Sequence, residues 1–108
     1  GDLIENAKLI VDASPDFVCI SGALNTMDEA AARDLVRKAF EASRRGVVFN
    51  FLSDRAQPQW MARDIGPARR FNTIAWIDWA LSMTTLVSFT QEYLEGHDAT
   101  ILMRRDDI

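Results

Sequence analysis

Asp16-Phe17-Val18-Cys19-Ile20-Ser21-Gly22-Ala23-Leu24-Asn25 is the stretch that decides the fold. Phe17 to Ile20 is apolar without polar alternation, the pattern of a parallel strand covered on both faces. Ser21 and Gly22 then end it in a small polar loop. The same grammar recurs at Gly46-Val47-Val48-Phe49-Asn50-Phe51-Leu52-Ser53-Asp54. Between the two copies, Ala32, Leu35, Val36, Ala39 and Phe40 form one apolar helical stripe, and Arg33, Asp34, Arg37, Lys38, Glu41 and Arg44 take the other side. This is a strand–helix–strand unit. Ligands in open α/β sheets collect at the carboxyl ends of such strands, so the two loops are expected to face a small molecule.

Working outward, Leu3, Ala7, Ile10 and Val11 predict a short helix that Ser14-Pro15 ends. Thr26-Met27-Asp28-Glu29 reads as a capping box with Thr26 at the N-cap. Arg44-Arg45 would complement that helix's dipole, and Gly46 would supply its left-handed stop. Residues 53 to 70 have no clean period and carry Pro58, Gly66 and Pro67, which predicts a loop with a short helical turn, often a functional lid. Asn72 or Thr73 caps a helix through Met83, with Ile74, Ile77 and Leu81 inward and Trp76, Ala80 and Met83 widening the stripe. Thr84 to Tyr93 and Ala99 to Arg104 read as strands. The link between them, Leu94 to Asp98, is too short for a parallel crossover, so the last strand runs antiparallel. The chain is α/β throughout, a single domain over residues 1–108 with helices on both faces of its sheet.

The 108 residues are 48% hydrophobic and 26% charged, ordinary for one globular domain. A net charge of −4 argues against a nucleic-acid partner. Arg69-Arg70 and Arg104-Arg105 are pairs, not stripes, and read as solvated ends. The apolar runs fall far short of the ~20 residues of a membrane helix, so no membrane partner is expected. Cys19 is the lone cysteine; it reads as a buried small hydrophobe and fits a reducing cytoplasm. The chain opens on Gly1 and its first methionine is Met27, so it is expected to be cut from a longer protein.

Two parallel strands, a helix, a third strand and a reversed last strand resemble the C-terminal half of a class I S-adenosylmethionine-dependent methyltransferase. That family's Rossmann-like sheet has order 3-2-1-4-5-7-6 with the seventh strand reversed. Phe17 to Asn25 is similar to the fourth strand and its loop, and Gly46 to Leu52 to the fifth. Tyr93-Leu94-Glu95-Gly96-His97-Asp98-Ala99-Thr100-Ile101-Leu102 is similar to the end of the sixth and the start of the seventh. Gly1-Asp2 resembles the pair closing the third strand, whose aspartate lies by the adenine. The resemblance therefore implies four strands in order 4-5-7-6. It also implies S-adenosylmethionine as cofactor, held in part by Asp2, Leu3, Ser21 and Gly22. Asn25, Tyr93 and His97 would meet a small-molecule acceptor. The family's glycine-rich loop would lie before Gly1, so the fragment alone is expected to be inactive.

Methyl transfer to a ready nucleophile rests on positioning, so no strong catalytic motif is required. His97, the sole histidine, is a candidate general base; alternatively His97 and Asp98 simply order their turn. Asn25 and Asn50 either meet the acceptor or satisfy nearby backbone donors. Trp60, Trp76 and Trp79 are candidates to line an acceptor pocket, although Trp76 and Trp79 also suit packing. One cysteine and one histidine cannot build a structural zinc site. A non-catalytic interaction or structural module that keeps the half fold is the alternative, and another doubly wound nucleotide-binding domain a third reading. The Phe17–Ile20 strand lacks proline and lysine and would form an edge in the fragment, which predicts self-association.

Overall fold

A computed structural model describes residues 16–105 of the chain. The helix expected over Leu3 to Val11, and Asp2 and Leu3 as cofactor contacts, lie outside those residues. Strand β1 (Phe17–Ile20) leads through a 3-10 turn (Ala23–Thr26) into helix α1 (Glu29–Ala42), then strand β2 (Gly46–Leu52). A short helix α2 (Pro58–Met61), helix α3 (Thr73–Met83), strand β3 (Val87–Thr90), a 3-10 turn (Tyr93–Gly96) and strand β4 (Asp98–Arg104) follow.

These strands form one mixed four-stranded sheet in the order β1-β2-β4-β3. β1 pairs parallel with β2, Phe17 opposite Gly46 and Ile20 opposite Phe49. β4 is antiparallel to β2, from Gly46 opposite Arg104 to Leu52 opposite Asp98. It is antiparallel to β3 as well, with Thr90 opposite Thr100. The final strand therefore runs against both neighbours, as its short connection predicts.

Alternation along the strands sorts the core to one side. Val18 and Ile20, then Val47, Phe49 and Phe51, then Ala99, Ile101 and Met103 are buried, together with the sheet-facing residues of α1 and α3. The expectation of helices on both faces is corrected: α1 and α3 share this face, and among the described residues no helix covers the other. The physical reason is handedness. Parallel crossovers are right-handed. Both β1–α1–β2 and β2–α3–β3 step the same way across the sheet, so both helices land on the same side. Cys19, read as buried, is exposed on the uncovered face for the same reason.

Four local expectations also change. Thr26 is not the cap of α1: it belongs to the preceding 3-10 turn, while Asp28 is extended and its carboxylate accepts the Ala31 N–H at 2.8 Å. Gly46 is not a helix stop. The helix ends at Ala42 with Ser43 as its cap, and Gly46 opens β2 with φ 155°, where a Cβ would meet the Met103 carbonyl oxygen at 2.1 Å. At the helix end the carbonyls are capped by Arg105, which the local sequence does not point to, its guanidinium donating to the Phe40, Glu41 and Ser43 carbonyls at 3.2, 2.8 and 3.0 Å. Finally, α3 is rotated from the expected stripe: Ile74 and Leu81 are 54% and 47% exposed, whereas Thr73, Trp76 and Ala80 are buried. Trp76 sets the rotation. Its ring lies 5.0, 5.6 and 5.9 Å from those of Phe49, Phe51 and Phe71, and no aliphatic side chain at Ile74 could fill that aromatic nest.

Candidate functional site

β1 and β2 end, and β4 begins, on the same rim of the sheet. Ser21 and Gly22, Ser53 and Asp54, and His97 therefore meet there. The Ser53 N–H donates to the His97 carbonyl at 3.0 Å, which closes the rim between β2 and β4. Across β1 and β2, the Gly22 N–H donates to Asn50 Oδ1 at 2.8 Å, and Asn50 Nδ2 reaches Ser21 Oγ at 3.5 Å. Gly22 has φ 76°, with nothing near a Cβ, so glycine is needed there for backbone conformation and not for room. Asn25 ties its loop to β2 by accepting the Leu52 N–H at 3.0 Å. Asn25 and Asn50 thus satisfy backbone donors.

Ser53 is fully buried and bonded three ways. Its Oγ lies 2.7 Å from Thr73 Oγ1 and 2.9 Å from Gln91 Oε1, and accepts the Arg55 N–H at 2.9 Å. Gln91 Nε2 donates to the Arg55 carbonyl at 3.0 Å, which fixes its amide with Oε1 toward Ser53. Serine has one hydroxyl proton and gives it to Gln91, so Thr73 is the donor in the Ser53–Thr73 bond. Asp54 accepts the Thr73 N–H at 3.0 Å and starts α3 in register with the rim.

Arg70 holds the rest together. Its guanidinium donates to the Ser53 carbonyl at 2.7 Å, the Trp60 carbonyl at 2.8 Å and His97 Nδ1 at 3.1 Å. Arginine has no acceptor, so His97 Nδ1 is the accepting nitrogen and the ring's proton is on Nε2. The imidazole therefore offers a donor at Nε2, and its basic nitrogen is already engaged. The Trp60 ring lies 4.6 Å from the His97 ring on one contact and 4.4 Å from the Arg63 guanidinium on another. Glu95 latches α2 onto the β3–β4 loop by accepting from Gln59 Nε2 at 2.9 Å and Trp60 Nε1 at 3.2 Å. That loop carries two consecutive left-handed residues, Leu94 and Glu95, at φ 50° and 55°. Tyr93, beside them, is 66% exposed.

The structure thus gathers Ser21, Gly22, Asn25, Tyr93 and His97 on one rim or its loops. Of the tryptophans only Trp60 belongs there, since Trp76 and Trp79 pack edge to face at 5.4 Å under the sheet. Arg70, Glu95, Thr73 and Gln91 were not legible as rim residues, because a lone side chain gives no sign of the carbonyls it will meet. A hollow of about 100 Å³, lined by Cys19, Ile20, Ser21, Val48, Phe49, Asn50 and Thr100, opens beside the rim on the uncovered face. Among the described residues, no three His, Cys, Asp or Glu side chains converge on a metal-sized site, and no helix is long and apolar enough to cross a membrane. No protein-family model matches the sequence, and no curated protein is significantly similar to it.

Proposed function

We propose that this chain is the C-terminal half of a class I S-adenosylmethionine-dependent methyltransferase domain acting in the cytoplasm on a small-molecule acceptor. The observation that carries the reading is the strand order β1-β2-β4-β3 with β4 alone reversed. That is the order 4-5-7-6 of the family's second half. The uncovered face supports it as well, because an upstream half would bring helices to that side. In this reading the Ser21–Gly22 loop borders the methionine portion of the cofactor, with Asp2 and Leu3 near its adenine. Asn25, Tyr93 and His97 border the acceptor, and His97 orients it through the Nε2 proton. Catalysis is by positioning in a dry pocket.

The second reading, a non-catalytic interaction module, is favoured by one observation: the rim's polar groups are spent on one another, Gly22 N–H on Asn50 and His97 Nδ1 on Arg70. The upstream reading frame separates the two. A Glu/Asp-x-Gly-x-Gly loop about 50 to 60 residues before Gly1, the spacing of two βα units, supports the methyltransferase; its absence from an extended upstream sequence overturns it.

A further inference from the structure

We propose that the rim takes an anionic acceptor, whose carboxylate or phosphate oxygens are held by the Arg63 guanidinium and the His97 Nε2 proton, with the charge of Arg70 behind them. This names the chemical class of the acceptor in the functional reading above, and rests on that reading only for what carries the anion.

The loop between β2 and α3 brings both arginines to the β2 and β4 ends of the rim. Arg70 is half-buried, and every acceptor it meets is neutral: the Ser53, His97 and Trp60 carbonyls and His97 Nδ1. Those bonds occupy the protons of its two terminal nitrogens and leave its charge without a counter-ion. The exposed Arg63 guanidinium lies 4.4 Å from the Trp60 ring. That contact holds it by its face and leaves its fork of N–H donors open. Among the described residues, no carboxylate is within ion-pair distance of Arg63 or Arg70, although Arg33, Arg37, Arg44 and Arg55 each face one. The carboxylate of Glu95 is turned to Gln59 Nε2 and Trp60 Nε1, at 2.9 and 3.2 Å.

His97 supplies the third group. With Nδ1 engaged by Arg70, its Nε2 carries the proton, and no acceptor among the described residues meets it. Its ring is 4.6 Å from that of Trp60. One indole is thus bordered by an open guanidinium and a proton-bearing imidazole, with a second guanidinium bonded to its backbone. Cations without counter-ions make this end of the rim positive in a chain whose net charge is −4. An oxyanion supplies what is missing. A carboxylate or phosphate presents two oxygens at the spacing of the arginine fork, accepts the Nε2 proton and neutralises the charge of Arg70. A cationic acceptor does none of these.

NMR titration of the 108-residue chain at constant ionic strength is the test, with inorganic phosphate in one arm and acetate in the other, each replacing chloride. The Trp60 indole and His97 ring resonances are followed. At least one anion is expected to move both saturably, with a midpoint of about 1 to 10 mM, the strength of a few exposed charge-assisted hydrogen bonds. The tighter anion names the group on the acceptor. Arg63→Gln, an exposed substitution, is expected to weaken that binding about tenfold, and Arg33→Gln on the α1 surface to leave it unchanged. No saturable shift with either anion overturns the proposal. So does a midpoint that Arg63→Gln leaves in place, or that Arg33→Gln moves as far. No cofactor enters this experiment, so its failure leaves the methyltransferase reading to the upstream frame. A missing glycine-rich loop there leaves the anion site to this titration.

Discussion

Among the described residues, β1 and β3 are each four residues long and each borders the sheet, yet they are composed by different rules. β3 reads Val-Ser-Phe-Thr, with Ser88, Phe89 and Thr90 all exposed. β1 reads Phe-Val-Cys-Ile, with Val18 and Ile20 in the deepest part of the core. A natural border strand is short, polar or otherwise blunted, and β3 conforms. β1 has the composition of an interior strand left at a border. The contrast teaches that the two borders of the described sheet are composed for different surroundings, β3 for solvent and β1 for cover.

The largest expected effect exploits that contrast directly. Val18→Asp buries an unpaired charge in β1 and is expected to cost about 4 kcal/mol or more, enough to unfold a domain of typical stability. Phe89→Asp in β3, where the ring is 38% exposed, is expected to cost about 1 kcal/mol. Urea titration reads both; equal losses would break the distinction between the edges.

The two ends of the sheet offer a second, smaller contrast. Arg105 closes the lower end by capping the α1 carbonyls, and Arg70 closes the rim. Each Arg→Ala change is expected to cost about 2 kcal/mol, the range for hydrogen bonds from a charged donor. Only Arg70→Ala should also move the His97 ring-nitrogen resonances, because only Arg70 donates to Nδ1. A His97 shift in Arg105→Ala would show that the two ends are not separate.

At the start of α1, Asp28→Ala is expected to cost about 1 kcal/mol and Thr26→Ala only a few tenths. The reverse order would restore the capping box that the sequence suggests. Smallest is the pH response of the α1 surface. The Lys38 ammonium, by hydrogen bond first, and then Arg37 hold the Asp34 carboxyl below its ordinary value. A depressed carboxylate stabilises the fold at pH above its unfolded value, and that contribution is lost as pH falls through the folded one. NMR titration should find the Asp34 midpoint low, and Lys38→Gln should raise it. An unmoved midpoint would mean the pair is not formed in solution.

Much of this architecture was legible because it is periodic. The α1 stripe, the two parallel strands and the antiparallel return of β4 all follow from spacing and link length. What failed depended on tertiary partners. Gly46 looks like a helix stop until the Met103 carbonyl is seen beside it. Ile74 and Leu81 look inward until the Trp76 ring claims the aromatic nest of Phe49, Phe51 and Phe71. The rim was foreseen as a place, since strand direction fixes where Ser21, Ser53 and His97 go. Its chemistry was not, because Arg70 acquires meaning only from acceptors on three residues that lie 10 to 27 residues away in sequence.

As we propose, this chain would supply half of an S-adenosylmethionine pocket and need the other half to bind. Calorimetric titration of the cofactor, into the 108-residue chain and into a polypeptide carrying whatever sequence its reading frame encodes upstream, tests this most directly. No measurable binding by the chain and micromolar affinity for the extended protein are expected. Micromolar binding by the chain alone, or none by the extended protein, would contradict it.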